Sequence, residues 1–216
     1  MHLKRFGIFA AMIAAAVPAL AASGAVNFTI ADRELAMPVP AGYCLPEGKA
    51  AEIAAMTART DKDNKTLATF VDCKGQGTTA AMSNYVLVKS PNSAAEFTMD
   101  KAEALDLLAA AGTSPDAPKF DEDMANEVAD DAEEAFGQRV ELTGNVGYAG
   151  RDADCVYLAG RLALKSDPNG KSLWLGACMT VAGGKVLTVY RYDARSTAKV
   201  ADLKAHAKKV ALSIHP

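Results

Sequence analysis

The C-terminal half of the chain shows the clearest alternation of hydrophobic and polar positions. Four segments rich in β-branched, aromatic and other apolar residues are separated by glycine-containing sequences typical of turns. In the second segment Val156, Leu158, Leu162 and Leu164 all fall at even positions, and therefore on one side of a strand. We predict a four-stranded antiparallel meander over 140–148, 155–165, 172–181 and 185–192.

Helical spacing of apolar residues is present in four other segments. Asp100 and Glu103 have the form of a capping box, Leu105 and Leu108 then face the core, and Gly112 is expected to end that helix. The last segment has one apolar stripe, formed by Val200, Leu203, Ala207, Val210 and Ile214. The predicted helices cover 49–59, the segment from Asp100 to Gly112, 121–136 and 196–213.

The N-terminal part of the predicted domain contributes further strands. A strand or short hairpin is expected over 27–37, with Asp32 and Arg33 as a polar break. Two more strands are predicted over 66–73 and 79–89 from their β-branched and aromatic residues. The order of elements predicts an α+β domain. It consists of an antiparallel β-sheet, with a meander in the C-terminal half, packed by helices and closed by a C-terminal amphipathic helix.

A short sequence motif and the order of elements together resemble those of known proteins. The first strand region ends in Pro-Ala-Gly-Tyr-Cys at 40–44, and a helix, strands, mid-chain helices, a meander and a final amphipathic helix follow. This arrangement resembles uncharacterised exported proteobacterial proteins and, more distantly, the PsbP-like α/β/α sandwich. The resemblance implies a non-catalytic accessory or binding domain, and it assigns no functional residue.

Residues 1–21 have the three parts of a cleavable secretory signal peptide. Lys4 and Arg5 form a basic start, an uncharged apolar stretch follows, and Ala19-Leu20-Ala21 supplies the small residues that a signal peptidase recognises. The apolar stretch is shorter than the roughly 20 residues of a membrane-spanning helix. We predict cleavage after Ala21, and residues 22–216 as a single soluble domain in the periplasm or outside the cell.

The predicted mature chain holds four cysteines: Cys44, Cys73, Cys155 and Cys178. In an exported protein such cysteines favour two structural disulfides. The chain has no C-x-x-C motif and no closely spaced ligand pair, which argues against redox and zinc chemistry. A strand that returns along the first helix should bring Cys73 back to Cys44.

Cys155 and Cys178 then pair by elimination, but local geometry opposes this pairing. A tight turn over 166–170 would place Cys178 opposite Ala159, four residues from Cys155 and beyond disulfide reach. The pairing therefore requires a longer loop or a β-bulge.

The charge balance excludes two classes of partner. The chain has 23 lysines and arginines against 26 aspartates and glutamates, a formal net charge of −3, and signal-peptide cleavage removes Lys4 and Arg5. A mildly acidic protein lacks the overall basic character that nucleic acid or an anionic membrane surface attracts. We expect no nucleic-acid binding and no transmembrane segment in the mature chain.

Catalytic motifs have little support in this sequence. His206 is predicted on the solvent face of the last helix, and His215 is the penultimate residue, so neither has the held imidazole of a catalytic triad. Ser196 and Lys199 fit S-x-x-K, but the companion β-lactamase motifs are missing, and Ser196 is interpreted as a helix N-cap. No catalytic residue, cofactor or metal is predicted.

An acidic cluster occupies the predicted helix over 121–134. Its carboxylates are interpreted as a solvated helix face, because calcium ligands normally converge from a loop. Its members are Asp121, Glu122, Asp123, Glu127, Asp130, Asp131, Glu133 and Glu134. This carboxylate-rich surface motivates the alternative function, a periplasmic hydrolase that uses paired carboxylates.

Tyr157, Trp174, Tyr190 and Tyr192 lie on the predicted meander strands, with Tyr157 and Trp174 on the face that carries Cys178. Aromatic side chains on a half-covered sheet either line a ligand groove or pack in the core. These four residues are the candidate ligand-binding site. The sequence predicts a non-enzymatic accessory module that binds an unknown protein or small ligand.

Overall fold

The computed structural model describes residues 24–115, 142–164 and 172–216, together with positions 117, 126, 129, 130 and 133. Three predictions fall wholly or mainly outside these residues: the signal peptide over 1–21, the acidic helix over 121–136 and the turn over 166–170.

A two-stranded hairpin opens the described chain. Strand β1 (Ala25–Ile30) pairs antiparallel with β2 (Arg33–Pro38), and Ala31 and Asp32 form the turn between them. The predicted polar break therefore lies at the hairpin turn. The backbone of His215 exchanges hydrogen bonds of 2.8 and 3.0 Å with Ala36, which ties the end of the chain to β2.

A seven-stranded sheet forms the centre of the fold, in the order β3-β4-β5-β9-β8-β7-β6, and all its strand pairs are antiparallel. The strands are β3 (Tyr43–Cys44), β4 (Asn64–Asp72), β5 (Asn84–Pro91), β6 (Leu142–Arg151), β7 (Val156–Leu164), β8 (Ser172–Ala182) and β9 (Lys185–Asp193). The predicted meander is β6 to β9. The α+β class is confirmed.

Within the described ranges, three helices pack on this sheet: α1 (Gly48–Thr60), α2 (Lys101–Thr113) and α3 (Val200–Ala211). Asp100 caps α2 as predicted, because its carboxylate accepts the N–H groups of Ala102 and Glu103 at 2.8 and 3.3 Å. Gly112 does not end α2. It leaves room for a neighbour, since a Cβ there would lie 2.8 Å from the ring of Tyr148. None of the helices in the described ranges is long and apolar enough to cross a bilayer.

Two predicted boundaries were wrong. Residues Thr79–Ser83 form a short 3₁₀ helix before β5 rather than the start of the strand, because Ala81 is buried against Ala50 of α1. Ser196 is not the N-cap of the last helix, which begins at Val200. The N–H of Arg195 donates to Asp193 and the N–H of Ala198 donates to the carbonyl of Arg195, so the chain turns before α3 can start.

Different elements pack on the two faces of the sheet. Helix α3 and the hairpin pack on one face, called here the α3 face, around Phe70, Val86, Leu187 and Val189. Helices α1 and α2 pack on the opposite face. Gly176 lets α3 lie directly on β8, because a Cβ there would come within 2.6 Å of the α3 backbone. The helix begins at Val200 and does not itself cover one end of the α3 face. Side chains at that end of the sheet therefore lie next to the N-terminus of α3.

Both predicted disulfides are formed. Cys44 bonds to Cys73 with a Cα–Cα distance of 5.0 Å, and Cys155 bonds to Cys178 with a distance of 5.2 Å. The first bridge has the predicted origin, since β4 returns along α1 and pairs with β3.

The second bridge forms because the register differs from the one that a tight turn would impose. Tyr157, rather than Ala159, lies opposite Cys178. This shift of two residues places Cys155 diagonally across from Cys178, within disulfide reach.

Candidate functional site

The four predicted groove residues lie on both faces of the sheet. Tyr157 lies opposite Cys178, and Trp174 is on the same side of β8. Tyr190 and Tyr192 alternate with Val189, which lies opposite Cys178, and so project from the other face. The structure therefore does not bring these four side chains together on one surface.

Tyr157 belongs to a polar network that fastens α3 to the turn between β6 and β7. Its hydroxyl donates to Asp152 at 2.6 Å, and the Nζ atom of Lys208 lies 2.8 Å from the same carboxylate and 2.9 Å from that of Asp154. Burial, with Asp152 beside it, raises the pKa of Tyr157 to about 12. Burial acts to raise the pKa of Asp152, but Lys208, Tyr157 and two backbone N–H groups outweigh it and lower this pKa. The network holds the helix in place.

Tyr190 and Tyr192 pack with Tyr85 on the opposite face. The rings of Tyr85 and Tyr192 are stacked with centroids 4.6 Å apart, and those of Tyr190 and Tyr192 are 6.2 Å apart. Burial raises the pKa of all three hydroxyls. Lys89 lies 5.9 Å from the centroid of Tyr190 and forms an ion pair with Asp61. All three tyrosines are half-buried, and Tyr85 packs against the cluster that α1 covers.

Trp174 lies in a polar row that crosses five strands at one end of the α3 face. The register pairs Asn145 with Arg161, Arg161 with Trp174, Trp174 with Asp193, and Asp193 with Asn84. Directly opposed residues of antiparallel strands project to the same side, so these five side chains share one face. We call Arg161, Trp174, Asp193 and the neighbouring Arg191 and Arg195 the basic–aromatic row.

Arg161 is exposed and rests on Trp174. Its guanidinium lies 5.5 Å from the centroid of the indole ring, and one of its nitrogens donates to the hydroxyl of Ser172. In the described ranges no carboxylate pairs with Arg161. A guanidinium stacked on a tryptophan keeps its N–H edge available for a further acceptor.

Asp193 is buried between two arginines. Nε of Arg195 lies 2.9 and 3.0 Å from its two oxygens, and Nη2 of Arg191 lies 3.3 Å from one of them. The side chains of Asp193 and Arg191 are 1% and 6% exposed, whereas that of Arg195 is 66% exposed. Burial opposes ionisation, but these partners lower the pKa of Asp193. Arg195 is thus anchored at one edge and open to solvent at the other.

His206 is not on the solvent face, contrary to prediction. It is half-buried and stacked on Tyr43 with ring centroids 5.4 Å apart, because β3 brings that tyrosine against α3. Arg191 lies over the same tyrosine ring at 5.3 Å, and the tyrosine hydroxyl donates to Asn84 at 2.8 Å. The Nδ1 atom of His206 is buried without a hydrogen-bond partner in the described chain.

Burial lowers the pKa of His206 below its ordinary value of 6.5, and the cations Arg191 and Lys209 add to this effect. The folded state therefore binds fewer protons than the unfolded state below about pH 6.5. We expect the free energy of unfolding to fall as the pH is lowered from about 7.5 to about 5.5, and to fall less in His206→Phe. Urea titrations at both pH values measure this difference.

His206→Phe keeps an aromatic ring beside Tyr43 but cannot titrate, so packing and protonation are separated. His215→Phe, an exposed position, serves as the matched control and should behave like the wild type. An equal loss of stability in wild type and His206→Phe would contradict the prediction.

The described carboxylates do not converge on a metal site. No group of three or more His, Cys, Asp or Glu side chains within the described part of the chain is arranged to hold a metal ion. The predicted acidic cluster over 121–134 lies mainly outside these residues, so its interpretation as a solvated helix face stays a prediction.

Sequence reasoning singled out Trp174 but missed its arginine neighbours. Arg191 and Arg195 flank Asp193 in the sequence, and this alternation of charge at the end of a strand was the available signal. The contact between Arg161 and Trp174 depends on the register of β7 and β8, which the tight-turn assumption shifted by two residues.

Comparison with known proteins adds a distant likeness. No family model matches the chain, and no curated protein matches it. Among solved structures, the chain is similar to the solution structure of cyanobacterial PsbP (CyanoP) from Synechocystis sp. PCC 6803. The TM-score is 0.41 and the sequence identity 12%, over 92% of this chain and 96% of that one. This agrees with the distant PsbP-like resemblance expected from the order of elements, and no residue role follows from it.

Proposed function

We propose that the protein is an exported, non-enzymatic binding module whose contact surface is the basic–aromatic row. The observation that carries this proposal is the arrangement of two exposed arginines, Arg161 stacked on Trp174 and Arg195 held by Asp193. The carboxylates add to it. Every described aspartate with a displaced pKa has it lowered by cations or N–H donors, namely Asp32, Asp61, Asp152, Asp154 and Asp193. A carboxylate hydrolase needs a general acid with a raised pKa. The described aspartates therefore favour binding over the hydrolase alternative.

The export part of the proposal combines two features. The first 21 residues have the pattern of a cleavable signal peptide. All four cysteines are joined in disulfides, which persist in oxidising compartments. A single domain over residues 22–216, located in the periplasm or secreted, is the unit that we propose.

The basic–aromatic row is the part of the described surface best suited to contact a partner. Trp174 is half-buried, and Arg161 and Arg195 are exposed but held by neighbours. Tryptophan and arginine are the residue types most enriched among residues that dominate binding energy at interfaces. Side chains that are already ordered lose less entropy on binding.

Purification of the tagged protein from its native host tests both parts. We expect an N-terminus at Ala22, and a partner that is retained by the wild type but lost from the Arg161→Gln, Arg195→Gln double variant. Arg59→Gln, an exposed arginine on α1, is the single-charge control and should retain the partner. Circular dichroism of each variant checks that it is folded.

Two results would count against the proposal separately. An intact Met1 on the native protein would refute export. Equal retention of the partner by the wild type and the folded double variant would refute the row as contact surface.

A further inference from the structure

The basic–aromatic row is a local excess of positive charge on an acidic chain. It combines Arg161, Arg191 and Arg195 with the carboxylates of Asp193 and of the nearby Asp72, whereas the chain as a whole has a net charge of −3. Such a surface attracts anionic groups and discriminates against cationic ones. The chemistry of a partner at this surface is therefore anionic.

Two of the three guanidinium groups are presented to solvent in fixed positions. Arg161 is held by the ring of Trp174 and the hydroxyl of Ser172. Arg195 directs Nε and Nη2 at Asp193, while its side chain is 66% exposed. A guanidinium carries five N–H donors, so both groups retain donors for a carboxylate.

The spacing of the strands that carry these groups suits a ligand with two anionic groups. Arg161 lies on β7 and Asp193 on β9, with β8 between them. Strands two positions apart in a sheet are separated by about 10 Å. Two acidic side chains of one extended segment span that distance, so each can pair with its own guanidinium. Trp174 is half-buried on β8, between the strands that carry Arg161 and Asp193, where an apolar side chain of the same segment would contact its exposed part.

Resting on the function proposed above, we infer that the basic–aromatic row binds an acidic peptide segment of a partner protein. Two carboxylates of that segment pair with Arg161 and Arg195. An apolar side chain between them packs against Trp174. Arg191 stays paired with Asp193, the carboxylate that anchors Arg195, and does not contact the peptide.

Trp174 is the only tryptophan of the chain, so its fluorescence reports on this site alone. The probe is the capped peptide Gly-Glu-Ser-Leu-Ser-Glu-Gly, titrated at low salt into the full mature protein. We expect a saturable change in emission with the wild type and Arg59→Gln. Binding should be at least about tenfold weaker in Arg161→Gln and in Arg195→Gln, the loss of one charge-assisted pair. It should also weaken as salt is added.

Peptide controls test the chemistry. The same peptide with both glutamates replaced by glutamine, or by lysine, should not bind. Binding of either control peptide as tightly as the acidic one, or equal affinity of the folded arginine variants, overturns the inference. If inorganic phosphate alone saturates the site through Arg161 at a lower concentration than the peptide does, the ligand is a phosphate. Its assignment as an acidic peptide is then wrong.

The outcome can be separated from that of the proposed function. If the acidic peptide does not bind but a partner is still captured through the row in the native host, this inference fails and the binding module stands. If the peptide binds but no partner is captured, the inference that the row binds acidic peptides is supported and the proposed function fails.

Discussion

Reduction of both disulfides should lower the free energy of unfolding by about 3–4 kcal/mol for each bridge in the chain-entropy model. The bridges span sequence separations of 29 and 23 residues, and their loops do not overlap, so the two effects should add. Their sum, about 6–8 kcal/mol, lies within the range of about 5–15 kcal/mol for the total stability of a typical domain. We expect urea unfolding, followed by circular dichroism, to show a much lower midpoint in dithiothreitol.

Single-bridge variants distinguish the two contributions. Cys44→Ala with Cys73→Ala removes the more accessible bridge, and Cys155→Ala with Cys178→Ala removes a bridge whose cysteines are fully buried. We expect the second pair to reduce more slowly in the wild type, because the reductant must reach it through the core. An unchanged midpoint in a sample that peptide mapping proves to be reduced would contradict the prediction.

Both bridges stabilise elements that shape the α3 face. Cys44 follows Tyr43, the residue that stacks on His206 and lies beneath Arg191. Cys178 is on β8, the strand that carries Trp174. The disulfides therefore restrain β3, which carries Tyr43, and β8, which pairs with the strand β9 whose end supplies Asp193. Loss of a bridge should therefore weaken binding at the basic–aromatic row even where the protein stays folded.

The elements that were predicted correctly depend on contacts between residues close in sequence. Asp100 caps the helix that begins at the next residue, and the meander joins neighbouring strands through short connections. The stripe from Val200 to Ile214 predicted a helix whose buried residues include Leu203, Ala207 and Val210. Such patterns are visible in sequence because spacing within one element decides which side chains are buried.

The basic–aromatic row could not be predicted in the same way. It requires the register of β7 against β8, and it requires the chain after β9 to turn so that Arg195 meets Asp193. Neither follows from local periodicity. The error at His206 has a long-range origin, since its partner Tyr43 lies on a two-residue strand on the far edge of the sheet. Strand register and tertiary contacts thus decide the site, while local pattern decides the elements.

Asp193→Ala should cost about 3–5 kcal/mol of unfolding free energy, the range for removing one partner of a buried ion pair. Its side chain is 1% exposed, and it pairs with Arg191, which is 6% exposed. Alanine would leave that guanidinium buried without its counter-charge. The exposed pair of Asp106 with Arg151 is the matched control, and Asp106→Ala should cost no more than about 1 kcal/mol. Urea titrations of both variants measure the difference.

A second variant separates loss of charge pairing from loss of packing. Arg191→Met combined with Asp193→Leu removes both charges and keeps apolar volume, so it should recover much of the stability lost in Asp193→Ala. Equal stability of Asp193→Ala and the wild type would show that Arg191 is not buried as described. Failure of the double variant to recover any stability would show that packing, rather than the unpaired guanidinium, dominates the loss. Because Arg195 would then have no carboxylate to anchor it, the double variant should also bind the acidic peptide more weakly while remaining folded.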